Sequence, residues 1–220
     1  DPAIAADFKV IDGGVRAFAF QSLAANGTVS GDSVAGQLRI DQRPGVWLEA
    51  RGSVPMDLFT SSGSKKPVDV TLHSSSVDLG LVEGFTTALR NVVGTLQLDV
   101  SVKGQADEPQ FGGYVDVAGA SFDVAATGIR YRNGSLHVQL TPESIALERL
   151  HLEDSKGNPL EVTGTAGTHA FRIGDLGFEL SATRFDVLHN ALGDVALNGV
   201  ITVTGTLTAP TIAGDLALHR

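Results

Sequence analysis

Apolar and polar residues alternate along this chain from one end to the other, and this spacing constrains the fold more than any other feature. Segment 96–103 is Leu-Gln-Leu-Asp-Val-Ser-Val-Lys, with an apolar residue at every second position. Successive side chains of a β-strand point to opposite faces, so the pattern predicts strands with one apolar and one polar face. The same alternation recurs at 46–50, 136–140, 160–162, 176–180 and 197–207. The sequence therefore predicts an almost all-β protein.

An internal repeat indicates how the strands are arranged. Residues 96–117 align without gaps to residues 197–218. The alignment superposes Gly104 on Gly205, Pro109 on Pro210 and Gly113 on Gly214. A recurring unit of strand, glycine, turn with proline and strand is typical of a sheet that grows by adding hairpins, in contrast to a closed globule with one centre.

Turn residues predict the connections between strands. The Asn-Gly pair at 133–134 predicts a two-residue hairpin, which would pair Tyr131 with Leu136 and Ile129 with Val138. The sequence also predicts a tight turn at 141–144, a β-bulge near Glu148-Arg149 and a turn at 154–159.

Three stretches depart from the alternation. Segment 79–89 has apolar residues at roughly helical spacing and favours one short helix, and segment 185–192 is a fainter second candidate. Residues 60–67, with the sequence TSSGSKKP, are linker-like, and we interpret them as a flexible surface loop within the domain.

Composition bounds the domain organisation and the binding partners. We expect the 220 residues to form one continuous unit, because all-β folds often reach this length undivided. The formal net charge of −9 argues against a nucleic-acid surface. Because the chain starts at Asp1-Pro2 and ends within an apparent strand, we expect it to be a piece of a longer protein.

No pattern for catalysis or cofactor binding occurs in the sequence. There is no cysteine, no glycine-rich phosphate loop, no G-x-S-x-G elbow and no H-E-x-x-H motif. The six histidines are scattered along the chain. We therefore expect no catalytic residue, no metal site, no cofactor and no enzymatic activity.

The repeated unit resembles a known family. Val-Ser-Val-Lys-Gly is followed by Pro109 and Phe111-Gly-Gly, and Val-Thr-Gly-Thr-Leu is followed by Pro210 and Ile212-Ala-Gly. These units are similar to the repeats of the TamB family of translocation-and-assembly-module proteins, which in turn resembles the AsmA-like and bridge-like lipid-transfer proteins. The resemblance is strongest from residue 90 onward.

The resemblance implies an elongated, strongly curved β-sheet, a half-pipe, in the periplasm of a Gram-negative bacterium. Its apolar concave groove would carry phospholipid acyl chains between the inner and outer membranes and support outer-membrane protein assembly. The implied partner is an outer-membrane β-barrel (TamA-like), and the parent protein would be anchored in the inner membrane. No catalytic residue and no cofactor come with the family.

The alternation identifies the residues that would line the groove, and the resemblance implies that they contact lipid. Acyl chains could cover such a face at about 0.8 kcal/mol per buried methylene, without specific polar chemistry. The predicted lining consists of Leu96, Leu98, Val100, Val102, Val115, Val117, Ile129, Tyr131, Leu136, Val138, Leu140, Leu160, Val162, Phe178, Leu180, Ile201, Val203, Leu216 and Leu218.

Two other functions fit the same pattern. An open sheet has edge strands, so the chain could be a scaffold or chaperone that pairs with strands of an outer-membrane β-barrel or autotransporter. Alternation is also the same in two packed sheets, so a surface β-sandwich adhesin or carbohydrate-binding module stays open at this point.

Overall fold

In a computed structural model, which describes residues 4–16, 18–59, 65–169, 172–191 and 193–219, the chain forms one open, curved 14-stranded sheet. All strand pairs are antiparallel, and each strand pairs with its neighbours in sequence, except that β5 pairs with β7 and the short β6 also pairs with β7. The strands are β1 (Ile4–Val15), β2 (Phe18–Ser30), β3 (Ser33–Arg43), β4 (Val46–Pro55), β5 (Pro67–Ser74), β6 (Val77–Asp78), β7 (Leu89–Gln105), β8 (Glu108–Val124), β9 (Ile129–Leu140), β10 (Ser144–Glu153), β11 (Pro159–His169), β12 (Arg172–Asn190), β13 (Gly193–Thr206) and β14 (Ala209–His219). The all-β class predicted from alternation and the open, elongated sheet predicted from the internal repeat are both confirmed.

The strand ends form two rims that differ in their contacts. One rim carries the β1–β2, β3–β4, β8–β9, β10–β11 and β12–β13 connections and the segment between β5 and β7. Here β9 contacts β12, and the helix before β7 contacts β1 and β2, so we call it the pinched rim. The opposite rim, with the β2–β3, β7–β8, β9–β10 and β13–β14 connections, is called the open rim.

The strand register keeps apolar residues on one face. Val115 lies opposite Leu98 on β7 and opposite Val138 on β9, and Val138 in turn lies opposite Leu147 on β10. Farther along the sheet, Phe178 lies opposite Val203. Because directly opposite residues of antiparallel strands share a face, the alternation of each strand joins into one surface.

A line of β-bulges crosses β7 to β10 and β12 toward the pinched rim. The register shifts near Gly94 on β7, Gly119 on β8, Asn133 on β9, Glu148 on β10 and Arg184 on β12. A bulge inserts one extra residue and bends its strand. Together these bulges bend the sheet and preserve its apolar face where the alternation changes phase.

The repeat corresponds to two equivalent hairpins. Val100 lies opposite Gly113 in the β7–β8 hairpin, and Ile201 lies opposite Gly214 in the β13–β14 hairpin. Both glycines have positive φ, 108° and 142°, which an L side chain rarely adopts. Glycine at these positions therefore allows the positive φ that the two hairpins share.

The hairpin predicted at 133–134 is wrong. Asn133 has a φ of 53° but lies inside the continuous strand β9. Its positive φ forms the bulge of β9, and Ile129 and Tyr131 pair with Val124 and Phe122 of β8. An Asn-Gly pair supplies the same left-handed backbone to a bulge as to a turn.

The other local predictions have mixed outcomes. The turns at 141–144 and 154–159 and the bulge near 148–149 are confirmed. The helix at 79–89 is a 3₁₀ helix, Leu79–Gly84, and a second 3₁₀ helix spans Met56–Phe59. The helix at 185–192 is wrong, because β12 continues to Asn190 and position 192 lies outside the described residues.

The predicted loop at 60–67 lies partly outside the described residues, namely at 60–64, and β5 already begins at Pro67. Within the described part of the chain, neither helical segment is long and apolar enough to cross a bilayer.

Candidate functional site

The candidate site is the apolar face of the sheet. Its central row crosses the sheet from β7 to β14 through positions that lie directly opposite one another. The central row consists of Leu98, Val115, Val138, Leu147, Gly164, Phe178, Val203 and Ile212. None of these residues has a side chain that can donate or accept a hydrogen bond, so the side chains of the row offer apolar contact alone.

The structure brings most of the predicted lining residues together on this face. Those on β7 and β8, those of β9 from Leu136 onward, and those on β11 to β13 are partly buried. Leu216 and Leu218 lie on the edge strand β14 and are 43% and 65% exposed. Ile129 and Tyr131 are 3% and 8% exposed and belong to a packed cluster at the pinched rim.

No second layer covers the apolar face among the described residues. Apart from neighbouring strands, the closest packing there joins β9 to β12 and the 3₁₀ helix Leu79–Gly84 to β1, β2 and β7. A β-sandwich would place a second set of strands against the whole face. The face between these contacts is therefore an uncovered apolar surface, which normally marks a binding site.

An aromatic cluster fills the apolar face at the pinched rim. We call Phe122, Ile129, Tyr131, Ala182 and Phe185 the aromatic wall. The rings of Tyr131 and Phe185 are stacked with centroids 5.1 Å apart, and the Phe122 ring lies 5.7 Å from that of Tyr131. The Tyr131 hydroxyl donates to the carbonyl oxygen of Asp186 at 3.1 Å. Burial raises the pKa of Tyr131, and the nearby charges of Asp154 and Asp186 raise it further.

A buried carboxylate fixes the wall to the β10–β11 turn. Asp154 is fully buried and accepts hydrogen bonds from the backbone N–H groups of Lys156, Asn158 and Asp186 and from the Asn158 side chain, at 2.8 to 3.0 Å. Burial alone would raise the pKa of Asp154, but these donors outweigh it and hold the pKa below its usual value.

Histidines and carboxylates face each other across strands on the polar face and at its rim. Each of the four histidines whose side chains the structure describes approaches the carboxylate of its directly opposite residue. The pairs are His73 with Asp99, His137 with Asp116, His151 with Glu161 and His189 with Asp194. The hydrogen bond to Asp116 raises the pKa of His137.

A second ionic group lies on the same polar face over β3 and β4. The Arg39 guanidinium contacts Asp41 and Glu49, both at 3.0 Å, and Glu49 also pairs with Arg51. Hydrogen bonding from Arg39, followed by that from Arg51, lowers the pKa of Glu49. These charged side chains thus pair with each other on the face opposite the candidate site.

Two hollows at the pinched rim are lined by both charged and apolar side chains. They measure about 400 and 390 Å³, and both are lined by Lys156, Asp186 and Asp194. The smaller one also contacts Ile129 of the aromatic wall. Lys156 and Asp186 form an ion pair at 2.9 Å, so part of this charge is already neutralised. Across the described residues, no group of three or more histidine, aspartate or glutamate side chains could hold a metal ion.

No family model, no curated protein and no solved structure matches the chain.

Sequence reasoning missed two features of the site. The aromatic wall depends on Phe185, which lies 54 residues from Tyr131, so no local pattern connects the two rings. The apolar spacing of segment 185–192 favours a helix and so points away from this contact. The histidine pairs depend on strand register, which alternation alone does not determine. The strands themselves were predictable, so a correct register would have revealed the pairs.

Proposed function

We propose that the apolar face holds phospholipid acyl chains. In this proposal the chain is a groove segment of a TamB-like protein that conducts phospholipids between the inner and outer membranes and supports outer-membrane protein assembly. It would work in the periplasm of a Gram-negative bacterium, in a parent protein anchored in the inner membrane. Its outer-membrane partner would be a β-barrel resembling TamA.

The observation that carries the proposal is the continuous apolar face with no covering layer among the described residues. Its central row crosses eight strands, β7 to β14, which corresponds to about 34 Å along the curve of the sheet at ~4.8 Å per strand. One leaflet of a bilayer needs chains of only about 15 Å, half of its ~30 Å hydrocarbon core. Two such chains would therefore fit end to end along the row, as a conduit requires.

A pair of variants on one strand tests the proposal. Val203 lies on the apolar face of β13, and its sequence neighbour Thr204 lies on the polar face. We expect Val203→Asp to remove phospholipid that copurifies from a Gram-negative host, because a carboxylate is costly in contact with hydrocarbon. Thr204→Asp should retain the lipid. Native mass spectrometry measures the lipid, and circular dichroism checks the fold.

Photocrosslinking gives a second readout if Val203→Asp fails to fold. A photoreactive residue at Val138 should crosslink acyl chains, whereas one at the adjacent Gln139 should not. Wild-type protein without phospholipid, or equal crosslinking from both positions, would contradict the proposal.

The edge strands support a second candidate function, the pairing of strands from an outer-membrane β protein. Within this chain β1 and β14 pair on one side only. Both carry exposed apolar side chains: Ile4, Phe8 and Ile11 on β1, and Ile212, Leu216 and Leu218 on β14. An edge of this kind can bind a further strand through its free backbone groups.

The internal repeat supplies a probe for this second function. β14 is equivalent to β8, and β8 pairs with β9. A peptide with the sequence of β9, Ile129–Leu140, should slow amide hydrogen exchange along β14. A peptide with the same composition in scrambled order is the control. Unchanged exchange with both peptides would argue against strand pairing at this edge.

A further inference from the structure

The two rims of the sheet differ in how accessible they leave the apolar face. At the pinched rim, the backbone N–H of His189 donates to the carbonyl oxygen of Thr127 at 2.8 Å. This bond joins the end of β12 to the β8–β9 turn, beyond the tip of the shorter β10–β11 hairpin. Farther along the same rim, the helix Leu79–Gly84 contacts β1 and β2. The pinched rim is therefore closed at two places.

The bonds described at the open rim join loops that are close neighbours in the sheet. The N–H of Thr168 donates to the carbonyl oxygen of Glu143 at 2.9 Å, and that of Ala106 donates to the carbonyl oxygen of Lys66 at 2.9 Å. Neither bond crosses the apolar face. Charged side chains such as Lys103, Glu108 and Glu143 are exposed along this rim, so a hydrated headgroup could lie there without losing its water.

The aromatic wall separates these two environments. Phe185 is 2% exposed, whereas Phe178, on the same strand but nearer the open rim, is only partly buried. The stacked rings of Tyr131 and Phe185 already fill the space that an acyl chain would need at the pinched rim. The Asp154 hydrogen bonds hold the β10–β11 turn against them.

We propose that the aromatic wall is one boundary of the lipid-binding site over β8 to β13. Acyl chains lie along the central row, between the wall and the open rim, and their headgroups project past the open rim. This inference rests on the proposed lipid function, and it adds an orientation that the function alone does not require. The occupant is hydrocarbon because the row from Leu98 to Ile212 offers no polar side chain.

Spin-labelled lipids test the orientation in the intact chain. Phosphatidylcholine with a nitroxide on its headgroup should reduce the NMR amide intensities of Thr141, Glu143, Leu207 and Thr208 at the open rim. The amides of 125–127 and 155–157 at the pinched rim should keep their intensities. Phosphatidylcholine with a nitroxide on its acyl chain should instead reduce the intensities of Val138 and Phe178 and so report occupancy of the central row.

The outcomes separate this inference from the proposed function. If native mass spectrometry detects bound lipid but the headgroup label affects the pinched rim as strongly as the open rim, the orientation is wrong and the lipid function stands. If no lipid is bound, the orientation and the proposed lipid function both fail.

A variant of the aromatic wall gives a further test. Phe185→Ala should extend the intensity loss caused by the headgroup label to the pinched rim. Phe85→Ala, which removes an 84% exposed ring, should not. Should Phe185→Ala fail to fold, the wild-type measurement decides.

Discussion

At the scale of single residues, Asp154 shows how a polar group can organise an otherwise apolar cluster. Its carboxylate accepts four hydrogen bonds while fully buried. We expect Asp154→Ala to lower the free energy of unfolding by about 3 kcal/mol, because it leaves several donors without an acceptor. Urea denaturation measures the change.

The neighbouring serine is the matched control for this prediction. Ser155 is exposed, and its contribution to the cluster is the backbone oxygen that accepts from Arg132 at 2.8 Å. Ser155→Ala keeps that oxygen and should leave the stability nearly unchanged. If the Asp154→Ala and Ser155→Ala proteins had the same free energy of unfolding, the hydrogen bonds of Asp154 would contribute little to stability.

Adjacent glycines on β8 provide a second test at the residue scale. Gly113 has a φ of 108°, and a Cβ there would overlap the carbonyl oxygen of Asp99. At Gly112 a Cβ would meet only the Ser101 hydroxyl, at 3.1 Å, which can rotate away. Gly113→Ala should therefore destabilise the protein by about 2 kcal/mol or more.

Thermal unfolding of Gly113→Ala and Gly112→Ala compares these two positions. The repeat predicts that Gly214→Ala behaves as Gly113→Ala does, because a Cβ at Gly214 would overlap the carbonyl oxygen of Val200. If Gly113→Ala and Gly112→Ala melted at the same temperature, the positive φ at Gly113 would not require glycine.

At the scale of strands and turns, local structure was predictable from the sequence where a residue type favours a single backbone conformation. The proline of the 141–144 turn ends β9, as expected from its fixed φ. The structural role of Asn133 was harder to predict, because a positive φ occurs both in a hairpin turn and in a β-bulge. The choice between them depends on β8, whose own bulge at Gly119 lets β9 continue as one strand.

The cross-strand pair of His137 and Asp116 predicts a pH-dependent contribution to the stability of the sheet. The folded-state pKa of His137 is raised above the ordinary value near 6.5, so the pair stabilises the fold fully below about pH 6.5 while Asp116 is ionised. This contribution is lost as the pH rises through the raised pKa. Glu148, 3.5 Å from the imidazole, acts in the same direction, and Arg149 is the residue opposite His137 on β10.

NMR titration of His137 measures this effect directly. Asp116→Asn should lower the pKa of His137 toward its ordinary value, because it removes the largest cause of the shift. The difference in urea midpoint between wild type and His137→Gln should be larger at pH 6 than at pH 8. A wild-type His137 that titrates at or below its ordinary pKa would refute the pairing.

At the scale of the whole molecule, alternation predicted the sheet because each strand must keep its apolar residues on one side. Alternation could not predict whether a second layer covers that side, because Val115 and Val138 would alternate in the same way inside a sandwich. It also could not predict the aromatic wall, since Tyr131 meets Phe185 only after bulges on β9 and β12 change the phase of both strands.

The shape of the molecule in solution is the last prediction, and it follows from the open sheet that the described strands form. A compact domain of this length would have a radius of gyration of about 17 Å. Thirteen strands side by side span about 60 Å along the sheet, so small-angle scattering should give a radius of gyration clearly above the compact value. Phospholipid bound along the central row should add mass without shortening the sheet, so the radius should stay high in both the lipid-loaded and the lipid-free protein. A lipid-free radius near the compact value would mean that the sheet folds back on itself and buries its apolar face, leaving no surface for a lipid.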